Sequence, residues 1–143
     1  MTSPSPMLDR WEMRLHVTRA ALDRLLSEAA RAAPEECCGI LLGGDGLIEE
    51  ARPARNVAAD PRRRFEIDPQ ALVDAHRAAR AGGPQVIGYY HSHPAGPAEP
   101  SATDRAEAAH DGSVWAIVGE RGVTFWRDEE AGFVPLSYTV ADG

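Results

Sequence analysis

Apolar positions recur along the chain in two rhythms, and the switching between them predicts an α/β domain. Met13 to Val17 alternates as a strand does. Thr18 then stands as the N-cap of a helix that places Leu22, Leu25, Leu26 and Ala29 on one face. Cys37 to Gly43 is an almost unbroken apolar run entered from the acidic pair Glu35-Glu36, the pattern of a central strand covered on both sides. Gly43-Gly44-Asp45-Gly46 predicts a tight reversal, with Leu47 to Pro53 as the returning strand. Asp68-Pro69 supplies a cap and a first helical position for a second helix through Arg80. Val86 to Tyr90 is β-prone, and the strand is expected to continue through His93. Ser101-Ala102-Thr103-Asp104 opens a third helix reaching about His110, and Ser113–Gly119, Val123–Arg127 and Phe133–Thr139 follow as three strands in meander. The sum is a mixed β-sheet flanked by helices.

Length and composition narrow the setting. At 143 residues, one domain is expected, spanning 11–140 between a leader at 1–10 and a short tail at 141–143. No run approaches the roughly 18 apolar residues of a membrane span, and Met1 to Arg10 lacks the apolar centre of a secretion signal. A cytoplasmic protein with no membrane partner follows as the expectation. Cys37 and Cys38 are adjacent and project to opposite faces of one strand, so they read as core residues in a reducing compartment. A net charge of −7 argues against a nucleic-acid partner. The local exception is Arg62-Arg63-Arg64 beside Phe65-Glu66-Ile67, read either as a solvated loop or as a contact for acidic groups on a partner. Every basic residue is arginine, which an Arg- and Ala-rich composition accounts for. Trp115, Trp126 and Tyr138 either pack in the core or form the interface of a homodimer.

The chemistry concentrates in His91-Ser92-His93-Pro94 and, further on, Ser101 and Asp104. Period-two alternation puts His91 and His93 on one face, where both rings reach one ion. Pro94 and the Pro/Gly-dense Ala95 to Pro100 end the strand in a stiff loop. The helix opened by Ser101 then brings Asp104 back toward the imidazoles. Two His and one Asp are three ligands, which leaves a fourth position open and fits a catalytic zinc site better than a structural one. Ser-x-x-Asp is also an ordinary capping box. Amide hydrolysis needs, besides, a group that takes a proton from water and returns it to the leaving amine. Glu35 and Glu36, at the mouth of a buried strand, are the candidates, since a carboxylate there is costly unless paired or used.

Glu36-Cys37-Cys38-Gly39, with His91-Ser92-His93-Pro94, Ser101 and Asp104, resembles the signature of the JAMM (MPN+) metallopeptidases, and the resemblance runs from about Met13 to Tyr138. It implies the JAB1/MPN fold, which is cytidine-deaminase-like, and one Zn2+ per chain on His91, His93 and Asp104. It makes Glu36, rather than Glu35, the catalytic glutamate and gives Ser101 a hydrogen bond to the oxyanion in exchange for its capping role. A deaminase would need His-x-Glu and Pro-Cys-x-x-Cys, and both are missing from the chain. Noncatalytic MPN interaction modules usually lack one or more of the five functional positions. With only Asp111-Gly112 between the third helix and the next strand, the chain resembles compact bacterial members. Those act on small β-grasp, ubiquitin-like sulfur-carrier proteins ending in Gly-Gly. Cleavage after such a tail is the expected activity, with removal of a ubiquitin-like modifier from lysine as the alternative.

Overall fold

The computed structural model describes residues 14–142, and the leader assigned to 1–10 lies outside them. The chain runs β1 (Leu15–Thr18), α1 (Arg19–Ala32), β2 (Cys38–Gly44), β3 (Leu47–Ala54), α2 (Pro69–Arg80), β4 (Gln85–Ser92), α3 (Ala102–Glu107), β5 (Val114–Gly119), β6 (Gly122–Glu129), β7 (Gly132–Leu136) and β8 (Tyr138–Ala141). The strands form one mixed sheet in the order β7-β6-β5-β4-β2-β3-β1-β8. β7 and β8 are separated only by Ser137, yet they sit at opposite edges, so the sheet curls until its edges approach. The rings of Phe125 on β6 and Tyr138 on β8 meet across that approach at 4.6 Å between centroids. The expected final strand of a meander is thus two strands. Gly132 to Leu136 continues the antiparallel run against β6, whereas Tyr138 to Ala141 crosses to lie parallel to β1, pairing Ala141 with Thr18.

Local chemistry explains most boundaries. Thr18 accepts a hydrogen bond from Ala21 N at 3.1 Å and starts α1. Asp68 accepts from Gln70 N with Pro69 in the first turn, so α2 occupies the expected residues. Asp45 and Gly46 both take positive φ, 54° and 78°, the conformation a two-residue hairpin needs to match strand twist. The third helix is shorter than expected. Buried Asp128 accepts from His110 N at 2.9 Å, and its carbonyl accepts from Gly112 N at 2.7 Å, so the chain is drawn off the helix axis after Glu107.

Two cores sandwich the sheet. On one face Ala21 and Leu25 of α1 pack with Val17, Leu41, Ile48, Tyr90, Ala116 and Phe125. On the other, Ala71, Leu72 and Ala75 of α2 cover Ile40, Leu42, Val86 and Tyr89. Alternate residues of β2 therefore serve opposite cores, which is why its sequence is continuously apolar. In α1 the buried line runs through Ala21, Leu25 and Glu28, and Leu26 faces outward at 44% exposure. Both cysteines are buried thiols, Cys37 in the α1-side core and Cys38 with its Sγ toward the carbonyls of Ala54 and Arg55. Burial pushes the Cys38 thiol up to about 12 and raises that of Cys37, so neither is a ready nucleophile. Trp115 packs inside at 7% exposure, and Trp126 and Tyr138 are half-buried. No helix among the described residues is long and apolar enough to cross a membrane.

Candidate metal centre

β4 lies between β2 and β5, in the middle of the sheet, and the candidate centre forms at its C-terminal end. Its antiparallel pairing with β2 sets Cys38 opposite His91, which carries the preceding Glu36 to the same end of the sheet. The pairing is tight because Gly39 has no side chain: a Cβ there would run into the Arg52 carbonyl and the Tyr90 ring. Ser92 Oγ, facing away from His91, accepts from Cys37 N at 2.8 Å and fixes the approach to β2. His93 lies one residue past the strand, but its N–H still bonds Val118 O at 2.8 Å, so the alternation that puts His91 and His93 together persists.

The loop after Pro94 folds back as the sequence predicts. Ser101 caps α3 in a full capping box: its Oγ accepts from Asp104 N at 3.0 Å, and its own N–H donates to Asp104 Oδ2 at 2.9 Å. This box delivers the buried Asp104 carboxylate to the two imidazoles. His91 Nε2 lies 3.2 Å from His93 Nε2 and 3.0 Å from Asp104 Oδ1, and His93 Nε2 lies 3.2 Å from Asp104 Oδ2. One ligand atom from each of the three residues falls within 4.8 Å of the others. Capping and chemistry are compatible here. A serine hydroxyl that accepts the cap bond through a lone pair still has an O–H able to donate.

The donor set fits a zinc ion. Bonds of about 2.0–2.1 Å at tetrahedral angles place neighbouring donors roughly 3.3 Å apart, close to the separations above. His93 Nδ1 sits 2.8 Å from the Pro97 carbonyl, which only accepts, so Nδ1 carries a proton; Nε2 donates to Asp104 in the metal-free fold and would give up that proton on ligating an ion. His91 is fully buried and its Nδ1 makes no hydrogen bond, so all its polar contacts run through Nε2. Burial lowers the pKa of His91, which keeps it neutral and able to ligate. Burial acts against the charge of Asp104 as well, but hydrogen bonds from both imidazoles outweigh it and hold the carboxyl far below its usual range. On His93 burial is likewise outweighed, by the bonds to Asp104 and the Pro97 carbonyl, and its pKa is raised.

Glu36 is 7% exposed and lines the cleft beside this cluster, with Asp104, Phe65, Thr103 and Trp115. A second cleft, walled by His93, Ser101, Gly96 and Arg62, also reaches Glu36, so the carboxylate sits between two openings. Burial raises Glu36 to about 7; the His93 charge lowers it and Asp104 raises it further. Glu35 is exposed and contributes nothing to the cleft. His76 is exposed on α2.

Sequence reasoning missed the aromatic wall. Phe65 stacks on His91 with centroids 4.3 Å apart and planes at 17°, and Trp115 meets His91 edge-on at 5.6 Å. The tract Arg62 to Ile67 is therefore more than a solvated loop: its arginines line the cleft mouths, and its phenylalanine covers His91. The only sequence signal was the β-prone Phe65-Glu66-Ile67 beside the arginines.

A curled mixed sheet with helices on both faces and a two-histidine, one-aspartate cluster beside a buried glutamate defines the JAMM class of metallohydrolase fold. The chain belongs to the prokaryotic homologs of the JAB domain, whose family model matches residues 18–129. It is 39% identical over 115 residues to the desampylase of Haloferax volcanii, covering 76% of this chain and 83% of that protein. It is 38% identical over 94 residues to a probable TtuB-protein conjugate cleaving protease of Thermus thermophilus, covering 66% of this chain and 63% of the relative. Among solved structures it superposes with a TM-score of 0.58 and 19% identity on one described as "JAMM: A Metalloprotease-like Zinc Site in the Proteasome and Signalosome", covering 90% of this chain and 98% of that one. The family and the fold class expected from the sequence are met, and His91, His93 and Asp104 form a group that could hold a metal ion.

Proposed function

We propose that the protein is a zinc-dependent metallopeptidase that hydrolyses the amide bond following the C-terminal Gly-Gly of a small ubiquitin-like carrier protein. The observation that carries the reading is the convergence of His91 Nε2, His93 Nε2 and the Asp104 carboxylate next to a buried Glu36 whose pKa is raised to about 7. His91, His93 and Asp104 would hold the ion. When bound, zinc supplies a Lewis acid that polarises the scissile carbonyl and makes water acidic near neutral pH.

The protein's own groups carry out the rest. Glu36, poised near neutrality, takes the proton from the attacking water and hands it to the departing amine. Ser101 directs its free O–H at the oxygen on which negative charge develops. The Pro97 carbonyl and the Ser101 N–H orient His93 and Asp104, so little rearrangement is needed during turnover. Phe65 and Trp115 exclude water from one side of His91. An extended tail of two glycines is thin enough to enter the cleft bounded by Phe65, Thr103 and Trp115 beside Asp104.

The names of the two relatives, a desampylase and a conjugate-cleaving protease, favour a second form of the same chemistry in which the leaving amine is a lysine of another protein. Intact-mass spectrometry tests both forms. Zinc-loaded protein is incubated with a β-grasp protein whose Gly-Gly is followed either by a short peptide or by an isopeptide link to lysine. The expected product ends at Gly-Gly, and its formation stops with a chelator or with Glu36→Gln. Cleavage at another bond, or cleavage indifferent to both treatments, would overturn the reading.

A further inference from the structure

The segment between β3 and α2 forms a single isolated bridge, Asn56 opposite Ile67, yet it holds its shape against the metal centre. One side chain organises it. Asn56 Nδ2 faces three carbonyl oxygens: Glu36 at 3.0 Å, Arg64 at 3.1 Å and Pro61 at 3.5 Å. Its Oδ1 accepts from Ala58 N at 3.0 Å and from Glu66 N at 3.1 Å. Glu36 N in turn donates to Pro61 O at 2.8 Å, so the backbone of the catalytic glutamate is held on both sides by the loop that Asn56 ties together. The same bonds, to the carbonyl of Arg64 and the N–H of Glu66, bracket Phe65, the ring that stacks on His91.

Asn56 touches none of the three metal ligands. They sit at the end of β4 and in the capping box of α3, held by their own contacts with Pro97, Val118 and Ser101. What Asn56 positions is the other half of the site, the base and its aromatic wall. An amide is the group suited to this task, because it presents donors and an acceptor at once to a ring of backbone groups that no strand partner satisfies.

We propose that Asn56 is a positioning residue, which sets the Glu36 carboxylate and the Phe65 ring relative to the metal centre and thereby determines turnover rather than metal binding. The inference rests on Glu36 acting as the base in the activity proposed above. Its test is Asn56→Asp, which keeps the acceptor for Ala58 and Glu66 but removes both protons given to Glu36, Pro61 and Arg64. The probe is a peptide ending in Leu-Gly-Gly whose terminal carboxyl is joined to the ε-amine of a fluorescent lysine derivative. It is assayed on zinc-loaded protein well below the melting temperature of the variant.

A displacement of the base by about 1 Å is worth on the order of a hundredfold in rate. The expected result is a fall in kcat of roughly that size with KM and zinc affinity each within about threefold of the parent. Asn56→Ser, smaller and uncharged, repeats the experiment should the aspartate prevent folding, and its expected loss of kcat has the same pattern. A lowered melting temperature with kcat unchanged would mean that Asn56 is only structural and would overturn the inference. So would loss of zinc in parallel with loss of rate. An unmodified parent that fails to cleave the probe would instead overturn the activity assignment, and the positioning role with it.

Discussion

Replacing Glu36 with glutamine separates what this side chain does for stability from what it does for chemistry. The carboxyl is raised from 4.5 to about 7, chiefly by burial. A folded-state value above the unfolded one means that the stabilising contribution of Glu36 is fully present below about 4.5 and is lost as pH rises through about 7. At about 1.4 kcal/mol per tenfold change in acidity, the rise from 4.5 to about 7 corresponds to a cost of about 3 kcal/mol for holding the ionised carboxylate in the metal-free fold at pH 8. Integrated to pH 5, the same shift leaves a cost of only about 1 kcal/mol. Glutamine fills the same volume and does not titrate. Metal-free Glu36→Gln should therefore exceed the parent in stability by about 3 kcal/mol at pH 8 and about 1 kcal/mol at pH 5, while its zinc-loaded form is inactive. Urea denaturation of both proteins at the two pH values measures the difference, and the comparison cancels the titrating groups that are not coupled to Glu36. Equal stability of the two proteins at both pH values would show that Glu36 is not held in the cleft as described.

Four further outcomes follow from the geometry. With Glu36 as the proposed base, active only when ionised, kcat/KM of the zinc-loaded enzyme should fall tenfold per pH unit on the acid side of a single limb, and Glu36→Asp should move that limb. Ser101→Ala should reduce kcat by roughly 10²- to 10³-fold and cost about 1 kcal/mol of stability through loss of the cap to Asp104 N, seen by kinetics and thermal melting. Chelation should abolish activity and leave the far-ultraviolet circular dichroism spectrum unchanged, since the two hydrophobic cores do not depend on the ion; added zinc should restore turnover. Gly39→Ala should destabilise by about 3 kcal/mol, because its methyl group meets the Arg52 carbonyl and the Tyr90 ring, and a melting temperature within a degree of the parent would contradict that packing.

The parts of this structure visible in the sequence are those whose causes are local. Asp68-Pro69 starts its helix and Asp45-Gly46 turns its hairpin through chemistry contained within a few residues. The candidate metal ligands are also readable, since strand alternation joins His91 to His93 and a capping box returns Asp104 from only thirteen residues away. What escaped reading depends on distant partners. Asp128 ends the third helix by bonding His110 from 18 residues downstream, and the split of the last strand at Ser137 reflects an edge of the sheet supplied by β1 at the opposite end of the chain. Phe65 and Asn56 lie in a tract with no apolar rhythm. Their roles arise only once the loop is laid across β2 and β4, where one stacks on His91 and the other holds the carbonyl of Glu36.

X-ray absorption at the zinc edge, on protein loaded with one equivalent of the ion, addresses the central claim directly. The geometry of the cluster predicts a single environment of two imidazole nitrogens and oxygen donors at about 2.0–2.1 Å, reduced by one imidazole in His91→Ala and by one in His93→Ala. A spectrum that includes sulfur from Cys37 or Cys38, or one that neither substitution alters, would place the ion elsewhere and contradict it.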